Sequence, residues 1–268
     1  MAKVKFNRGS SYSIPSNLTD GEINFATNTG ELSIDTTTER FTYIPANKSA
    51  GYHNSIYRGA YLGDTFDPSI LGDIDNGEFG NIYVGDYWVI DNITYRVVGF
   101  DYYSFYETVS IPHHILVMSD DVLRTSQNQV DEQALNPGVG GYVDSDLVTY
   151  LAEDISPIID NRFPQYVIGL EKIYTDTFST SATNLIDIPA LSELGLQEYS
   201  DETKPINYSI PFPIFQHCPR YITVDSVEYW TRSSTGSNLY GGISSIGVSK
   251  LPTDSAKGVR IVFALGVE

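Results

Sequence analysis

Residues 22–35, EINFATNTGELSID, constrain the fold more than any other stretch of this chain. Apolar and polar residues alternate in two short segments, 22–26 and 31–35. Successive side chains of a strand point to opposite faces, so this alternation predicts two strands that share one apolar face. Asn28 and Gly30, in the connection between the segments, tolerate the positive φ angle of a tight turn. The stretch therefore predicts a β-hairpin.

This hairpin is too small to fold alone, because an isolated pair of strands buries little apolar surface. It needs copies of itself or a surface on which to dock. The surrounding residues 1–50 are rich in Ser, Thr, Asn and Gly and contain no Trp. We therefore interpret residues 1–50 as an extended β-hairpin arm used in assembly, and residues 47–54 as a linker.

The start of the chain resembles the N-terminal segment of bacteriophage tail-fibre and head-fibre proteins. Its KFNRG at residues 5–9 and GEINFATNTGELSID at residues 21–35 are similar to the pattern K-F-x-R-G followed by G-E-I-x-F-x-T-x-T-G-E-L-x-I-D. The resemblance implies an arm that attaches to phage capsid or tail proteins. It also implies a homotrimer, since phage fibres generally have threefold symmetry. The assembly residues predicted for this arm are Phe6, Arg8, Ile23, Phe25, Leu32 and Ile34.

Residues 55–268 are predicted to form a globular head, and the predicted fold class of the chain is α+β and β-rich. Asp67 followed by Pro68 is typical of a helix start, and Asp144 or Ser145 can begin another helix. The remaining predicted features are a helix end at Gly77, a tight turn at Asp91–Asn92, a kink at Pro157, a helix over 187–194 closed by Gly195, and strands over 56–62, 81–90, 93–102, 114–118, 228–232, 246–250 and 258–267.

The segments WTRS at residues 230–233 and GVRIVFAL at residues 258–265 are similar to the end of C-type-lectin-like folds related to formylglycine-generating enzymes and phage tropism determinants. The pattern there is W-x-R-S followed by G-V-R-P-x-x-A-L, and this chain has Ile261 in place of the proline. The head also resembles an uncharacterised domain of phage structural proteins and some bacterial surface proteins. Variable loops carry receptor contacts in such folds. The resemblance thus implies a polar ligand loop at 233–242, with the ligand-binding residues Trp230, Arg232, Asn238 and Tyr240.

Charge and composition limit the classes of protein. The 268 residues include 34 acidic and 16 basic residues, a net charge of −18, and 13% are aromatic. A folded core is expected, and binding to nucleic acid or to an anionic membrane is disfavoured by the charge. No apolar run approaches the roughly 20 residues of a membrane helix, and the polar N-terminus is not expected to be a secretory signal. The protein is expected to be made in the host bacterial cytoplasm and to reside on the virion surface.

No catalytic residue, metal site or cofactor is predicted. The single cysteine, Cys218, leaves no intrachain disulfide and no multi-thiolate zinc site. His113 and His114 are neighbours on a predicted strand, so one should be buried and the other exposed. The acidic run 73–78 lacks the spacing of a calcium loop, and Gly77 within it is better explained as a helix end.

Three functions are consistent with these features. The leading one is a non-enzymatic structural protein of a phage virion, a fibre or decoration protein anchored by its arm, with a head fibre slightly favoured over a tail fibre. The second is a tail-tip adhesin that binds a host surface glycan. The third is a polysaccharide depolymerase, which is disfavoured because such enzymes commonly have long β-helical repeats and no internal repeat is present.

Overall fold

The structure is a computed structural model that describes residues 5–9, 19–26, 32–43, 50–105, 111–123, 132–137, 141–175, 179–196, 211–224, 227–236 and 239–267. The chain forms two compact units, residues 1–52 and residues 53–268. We call them the N-terminal unit and the C-terminal unit. The boundary between them falls within the segment 47–54 that the sequence indicates as a linker.

The N-terminal unit contains a sheet of four strands in the order β1-β2-β3-β4. The first pair is parallel and the other two pairs are antiparallel. The predicted hairpin is confirmed, with Ile23 opposite Ile34. Its predicted turn residues, 27–30, lie outside the described residues. The strands are β1 (Lys5–Gly9), β2 (Glu22–Ala26), β3 (Leu32–Asp35) and β4 (Arg40–Tyr43).

A seven-stranded central sheet organises the C-terminal unit, in the order β10-β18-β8-β7-β6-β5, with β13 also paired to β18. Its strands are β5 (Tyr61–Gly63), β6 (Tyr87–Ile90), β7 (Ile93–Phe100), β8 (His114–Ser119), β10 (Val167–Ile168), β13 (Ile186–Asp187) and β18 (Val262–Gly266). Every residue of β8 and of β18 is buried, because these strands lie inside the sheet and are covered on both faces. The core of this unit is therefore built on them.

A second sheet of five strands has the order β16-β15-β14-β17-β9, and a separate hairpin pairs β11 with β12. The strands are β9 (Glu132–Gln133), β11 (Leu170–Thr175), β12 (Ser179–Asn184), β14 (Tyr229–Gly236), β15 (Leu239–Ser244), β16 (Gly247–Pro252) and β17 (Lys257–Gly258). The helices are α1 (Ala50–Asn54), α2 (Leu71–Asp75), α3 (Asp146–Tyr150), α4 (Ser156–Arg162) and α5 (Pro213–His217). The predicted β-rich α+β class is confirmed.

Short sequence signals at the ends of elements are confirmed. Asp67 accepts a hydrogen bond from the Ser69 N–H at 2.9 Å and begins a 3₁₀ turn that leads into α2. Gly77 follows that helix at φ 69°, the left-handed conformation expected of a helix end. Asp91 and Asn92 have φ angles of 52° and 63°, as the tight turn between β6 and β7 requires.

The helix predicted to begin at Asp144 or Ser145 is also confirmed. The Ser145 hydroxyl accepts a hydrogen bond from the Val148 N–H at 3.2 Å and begins α3. A π-helical turn, Leu151–Ile155, then separates α3 from α4, which contains Pro157. Proline has no N–H to donate to the preceding turn, so the wider π turn at this point agrees with the predicted division.

The predicted helix over 187–194 is wrong. Asp187 belongs to β13, and residues 191–195 form turns closed by Gly195 at φ 78°. Ile188, Leu191 and Leu194 are all fully buried. Their helix-like spacing arises because the segment is covered on every side, a case in which apolar spacing cannot separate helix from other structure. The predicted strands 56–62 and 81–90 are also shorter than expected, and reduce to β5 and β6.

Aromatic rings join the helical segment to the central sheet. Phe163, just after α4, lies with its ring centroid 6.0 Å from Trp88, 5.3 Å from Tyr95 and 5.2 Å from Phe263. These three partners stand on β6, β7 and β18. Trp88 is therefore a core residue.

Raising the pH from 9 to 12 should destabilise this core. Burial raises the pKa of Tyr95 to about 12, although Arg162, which donates to its hydroxyl at 2.6 Å, opposes the rise. An unfolded tyrosine titrates near pKa ~10, so the folded chain holds the extra proton between these values. The stabilisation that the Tyr95 proton gives to the folded state is complete below about pH 10. It is lost as the pH rises through about 12, which lowers the free energy of unfolding by about 2–3 kcal/mol.

Urea unfolding at pH 9 and at pH 11.5 measures this loss. In Tyr95→Phe the loss between the two pH values should shrink, because the titrating hydroxyl is absent. It should not vanish, since burial also raises the pKa of Tyr103 and of Tyr229. An equal loss in wild type and Tyr95→Phe would contradict the assignment to Tyr95.

Candidate functional site

The six predicted assembly residues form two complete cross-strand rows in the N-terminal unit. Strand register places Phe6, Ile23 and Ile34 in one row. The next row contains Arg8, Phe25 and Leu32. The structure thus brings together on β1, β2 and β3 all the residues that the sequence selects for assembly.

An ordinary half-buried sheet buries its apolar residues and exposes its polar ones, and this sheet does the opposite at the positions described next. Ile34 is 44% exposed, and Ile23 and Leu32 are partly exposed. The polar residues that alternate with them are buried, namely Glu22, Asn24, Ser33 and Asp35. An exposed apolar row on a sheet whose polar row is covered is the pattern expected where another chain packs.

Hydrogen bonds hold the polar row of this sheet in place. Asn7 donates to the carboxylate of Glu22 and, at 2.8 Å, to the amide oxygen of Asn24. Arg40 donates through two nitrogens to the carboxylate of Asp35, at 2.5 and 2.8 Å. The buried polar side is therefore specified by partners within the sheet.

The prediction of a loop at 233–242 is wrong, because the structure places most of this segment in strands β14 and β15. Trp230 is fully buried and its ring N–H donates to the backbone oxygen of Gln133 at 2.7 Å. Tyr240 is also buried, and Asn238 lies outside the described residues. Burial of Trp230 and Tyr240 leaves neither side chain accessible to the ligand that the resemblance implies.

The glycines of that segment have a packing role instead of a turn role. Gly242 stands opposite Trp230 in the antiparallel pair of β14 and β15. A Cβ atom on Gly242 would lie 2.1 Å from Leu251 Cδ1, and one on Gly241 would lie 2.7 Å from Thr231 Oγ1. Close approach of neighbouring side chains therefore explains both glycines, and it could not be read from the sequence.

Arg232, the remaining predicted ligand residue, belongs to a buried ion cluster. Its side chain is only 7% exposed. It donates to both carboxylate oxygens of Glu193, one of them at 2.6 Å, and to the backbone oxygen of Ile188 at 2.8 Å. Its Nε lies 3.9 Å from a carboxylate oxygen of Asp187. The guanidinium is thus used inside the fold and is not presented to a ligand.

Tyrosines complete this cluster. Tyr103 donates to Glu193 at 3.0 Å, and Tyr142 donates to Asp187 at 2.6 Å. Burial lowers the pKa of Arg232, but the charges of Glu193 and Asp187 outweigh burial and raise that pKa well above its usual value. Both carboxylates are buried and hydrogen-bonded, so the cluster is structural.

A feature that the sequence does not indicate is a series of rings and guanidinium groups with exposed ends and a buried centre, which we call the tyrosine–arginine stack: Tyr61, Tyr87, Arg96, Tyr221 and Arg220. The ring centroids of the first pair are 5.7 Å apart. The guanidinium carbon of Arg96 lies 4.6 Å from the Tyr87 ring and 4.5 Å from the Tyr221 ring, and that of Arg220 lies 5.1 Å from the Tyr221 ring. These distances are within the range of cation–π attraction.

Hydrogen bonds and an ion pair hold the centre of the stack in place. Arg96 donates to the Asp120 carboxylate at 2.7 Å and to the backbone oxygen of Gly85 at 2.6 Å. Arg260, fully buried, donates to the backbone oxygen of Tyr221 at 2.5 Å and to that of Ser119 at 2.7 Å. The turn that carries Tyr221 is thereby tied to the end of β8.

A further phenol borders the stack. The hydroxyl oxygens of Tyr57 and Tyr221 are 3.1 Å apart, and Arg220 donates to the Tyr221 hydroxyl at 3.3 Å. Burial, followed by the hydrogen bond with Tyr221, raises the pKa of Tyr57 to about 12, so this phenol keeps its proton at neutral pH. Arg220 is exposed and Tyr61 is 57% exposed. The two ends of the stack are therefore open to a ligand.

The histidine pair follows the prediction. His114 is buried and His113 is exposed. His113 Nδ1 lies 2.7 Å from a carboxylate oxygen of Asp101.

Among the described residues, no group of three or more His, Cys, Asp or Glu side chains is placed to hold a metal ion. In the same residues, no helix has the length and apolar character needed to cross a membrane.

Comparison with known proteins gives no relative: no family model, no curated protein and no solved structure matches the chain. Function is therefore inferred from the residues of this chain.

Proposed function

We propose that this chain is a non-enzymatic structural protein of a phage virion, a fibre or decoration protein. In this proposal residues 1–50 attach it to capsid or tail proteins and residues 55–268 are displayed on the virion surface, with a head fibre favoured over a tail fibre. The observation that carries the proposal is the pair of cross-strand rows in the N-terminal unit, which includes every residue selected for assembly. The resemblance of residues 5–9 and 21–35 to phage fibre proteins supports it.

The displayed part is proposed to be C-type-lectin-like. The WTRS segment that resembles such folds begins on β14, and GVRIVFAL extends from the end of β17 into β18 of the central sheet. Arg260 within the second segment is fully buried and bonds to backbone oxygens of two other segments. The segments of the resemblance thus include core residues of the C-terminal unit, which supports the proposal.

The oligomer proposed is a homotrimer. Ile34, at 44% exposure, and the partly exposed Ile23 and Leu32 keep apolar surface that another chain can cover. Three copies around a closed axis can cover these side chains mutually, which removes apolar area from water at about 25 cal/mol per Å².

Ile34→Lys should abolish the trimer and the incorporation of the chain into particles. A lysine at this exposed position leaves the single chain folded, but burying its charge between copies is unfavourable. Light scattering should give three times 29.7 kDa for the wild type and a single-chain mass for the variant. Immunogold labelling of purified particles should detect the wild type and not the variant.

Ile246→Lys is the matched control, because Ile246 is 98% exposed in the turn between β15 and β16. It makes the same change of side chain in the C-terminal unit and should leave both mass and incorporation unchanged. A monomeric wild type at micromolar concentration would overturn the trimer. Incorporation of Ile34→Lys at the wild-type level would overturn the anchoring role of the N-terminal unit.

A further inference from the structure

The side chains at the two ends of the tyrosine–arginine stack are exposed, so packing within the fold does not explain their presence. Tyr61 is 57% exposed, so more than half of the surface of this residue stays in contact with water. Arg220 is exposed, and among the described residues it bonds to phenols and to no carboxylate. Arg96, in contrast, is paired with Asp120. Among the described residues the partners of the Arg220 guanidinium are thus the phenols of Tyr221 and Tyr57, although the chain has 34 acidic residues.

The chemistry of these ends is that of saccharide recognition. An exposed tyrosine ring packs against the C–H face of a pyranose, and phenol hydroxyls donate to ring substituents. A free guanidinium matches the planar fork of a carboxylate. We infer that the stack is a binding site for an acidic oligosaccharide, which lies along it with sugar rings at Tyr61 and Tyr87 and a carboxylate at Arg220.

The dimensions of the stack suit an oligosaccharide better than a single sugar. No step between successive members exceeds 5.7 Å, and there are four steps from Tyr61 to Arg220. A ligand of a few linked sugars can therefore contact both ends. Tyr57, Arg96 and Arg260 hold the middle rings in place before the ligand arrives, which reduces the entropy lost on binding.

A nucleic acid also combines flat rings with negative charge, but the charge count favours the saccharide. Arg58 is bound to Asp86 and Arg96 to Asp120, so the stack and its surroundings offer one unpaired guanidinium among the described residues. One cation can pair with a single carboxylate of an acidic saccharide, whereas a nucleic acid carries a phosphate on every nucleotide. The net charge of −18 would repel those phosphates.

This inference depends only on the C-terminal unit, and so it goes beyond the proposed assembly role of residues 1–50. A chain that fails to form trimers can still bind the saccharide at the stack. A chain that binds no saccharide can still be incorporated into particles. The two proposals therefore fail independently.

Calorimetric titration of the full-length chain with a tetrasaccharide of alternating glucuronic acid and N-acetylglucosamine tests the site. A single shallow site should give Kd on the order of 1 mM. Tyr61→Ala and Arg220→Ala should each weaken binding about tenfold without changing the melting temperature, because both side chains are exposed. Tyr61→Phe should bind like the wild type, since it keeps the ring.

Three comparisons make the test specific. Lys250→Ala removes an exposed cation on β16 and should leave affinity unchanged. The neutral tetrasaccharide of N-acetylglucosamine should bind about tenfold more weakly than the acidic one to the wild type, and equally to Arg220→Ala. No saturable binding of the acidic tetrasaccharide, or equal affinity for both sugars in the wild type, overturns the inference. Tighter binding of a thymidine tetranucleotide than of the acidic sugar also overturns it and assigns the stack to nucleic acid.

Discussion

Arg232→Met should lower the unfolding free energy by about 3–5 kcal/mol, the cost expected when one partner of a buried ion cluster is removed. Arg232 is the cation that bonds to Glu193 and lies near Asp187, and both carboxylates are buried. Without it two negative charges remain inside the protein, and the neutral phenols of Tyr103 and Tyr142 stabilise them less than a guanidinium does. Urea unfolding at pH 7, followed by circular dichroism, measures the loss.

Tyr103→Phe is the control for this cluster. It removes one neutral donor to Glu193, while Arg232 stays paired, so the loss should be only about 1 kcal/mol. Equal losses in Tyr103→Phe and Arg232→Met would mean that the charge is unimportant. A stable Arg232→Met with weakened cell attachment would instead restore the surface role that the sequence suggests for this residue.

Gly85→Ala should lower the unfolding free energy by about 2–5 kcal/mol, from left-handed strain and overpacking together. Gly85 has φ 88°, and a Cβ atom there would lie 2.3 Å from Cε2 of Tyr57. Its N–H donates to the Val97 oxygen at 2.9 Å and its oxygen accepts from Arg96, so its backbone cannot turn away without breaking both bonds. Thermal and urea unfolding measure the effect.

Gly72→Ala is the matched control, because the same change is made where nothing lies within 4 Å of the new Cβ atom. Gly72 stands in α2 with ordinary helical geometry, and alanine there should stabilise the protein by up to about 1 kcal/mol. Gly85→Ala should also displace the Tyr57 ring and weaken saccharide binding. Equal stability of the two variants would contradict the crowding described at Gly85.

Local features were predictable because a few consecutive residues determine them. The hairpin of residues 22–35, the cap at Asp67 and the turn at Asp91–Asn92 each depend on side chains within a few positions of one another. The rows of the N-terminal sheet were also predictable in part, since strand alternation alone assigns their residues. The parallel pairing of β1 with β2 was not, because it joins segments with no local signal between them.

The burial of the predicted ligand residues was not predictable in the same way. Arg232 meets Glu193, 39 positions earlier, and Trp230 meets Gln133, 97 positions earlier. A polar segment rich in Gly and Ser is typical of a loop until distant side chains are placed against it. The stack was missed for the same reason. Its members come from β5, β6, β7 and the turn Pro219–Tyr221, and nothing in the sequence brings them together.

The position of β18 in the central sheet has a consequence for synthesis on the ribosome. Val262–Gly266 lies between β8 and β10 and also pairs with β13, so it joins the short strands β10 and β13 to β8 and the rest of the sheet. The sheet cannot be completed until these residues have left the ribosome, whereas the strands of residues 5–43 emerge first. Contacts between segments so distant in the chain form slowly. If the proposed trimer forms through the N-terminal strands, nascent chains on one messenger would be able to associate before any of them has completed its central sheet.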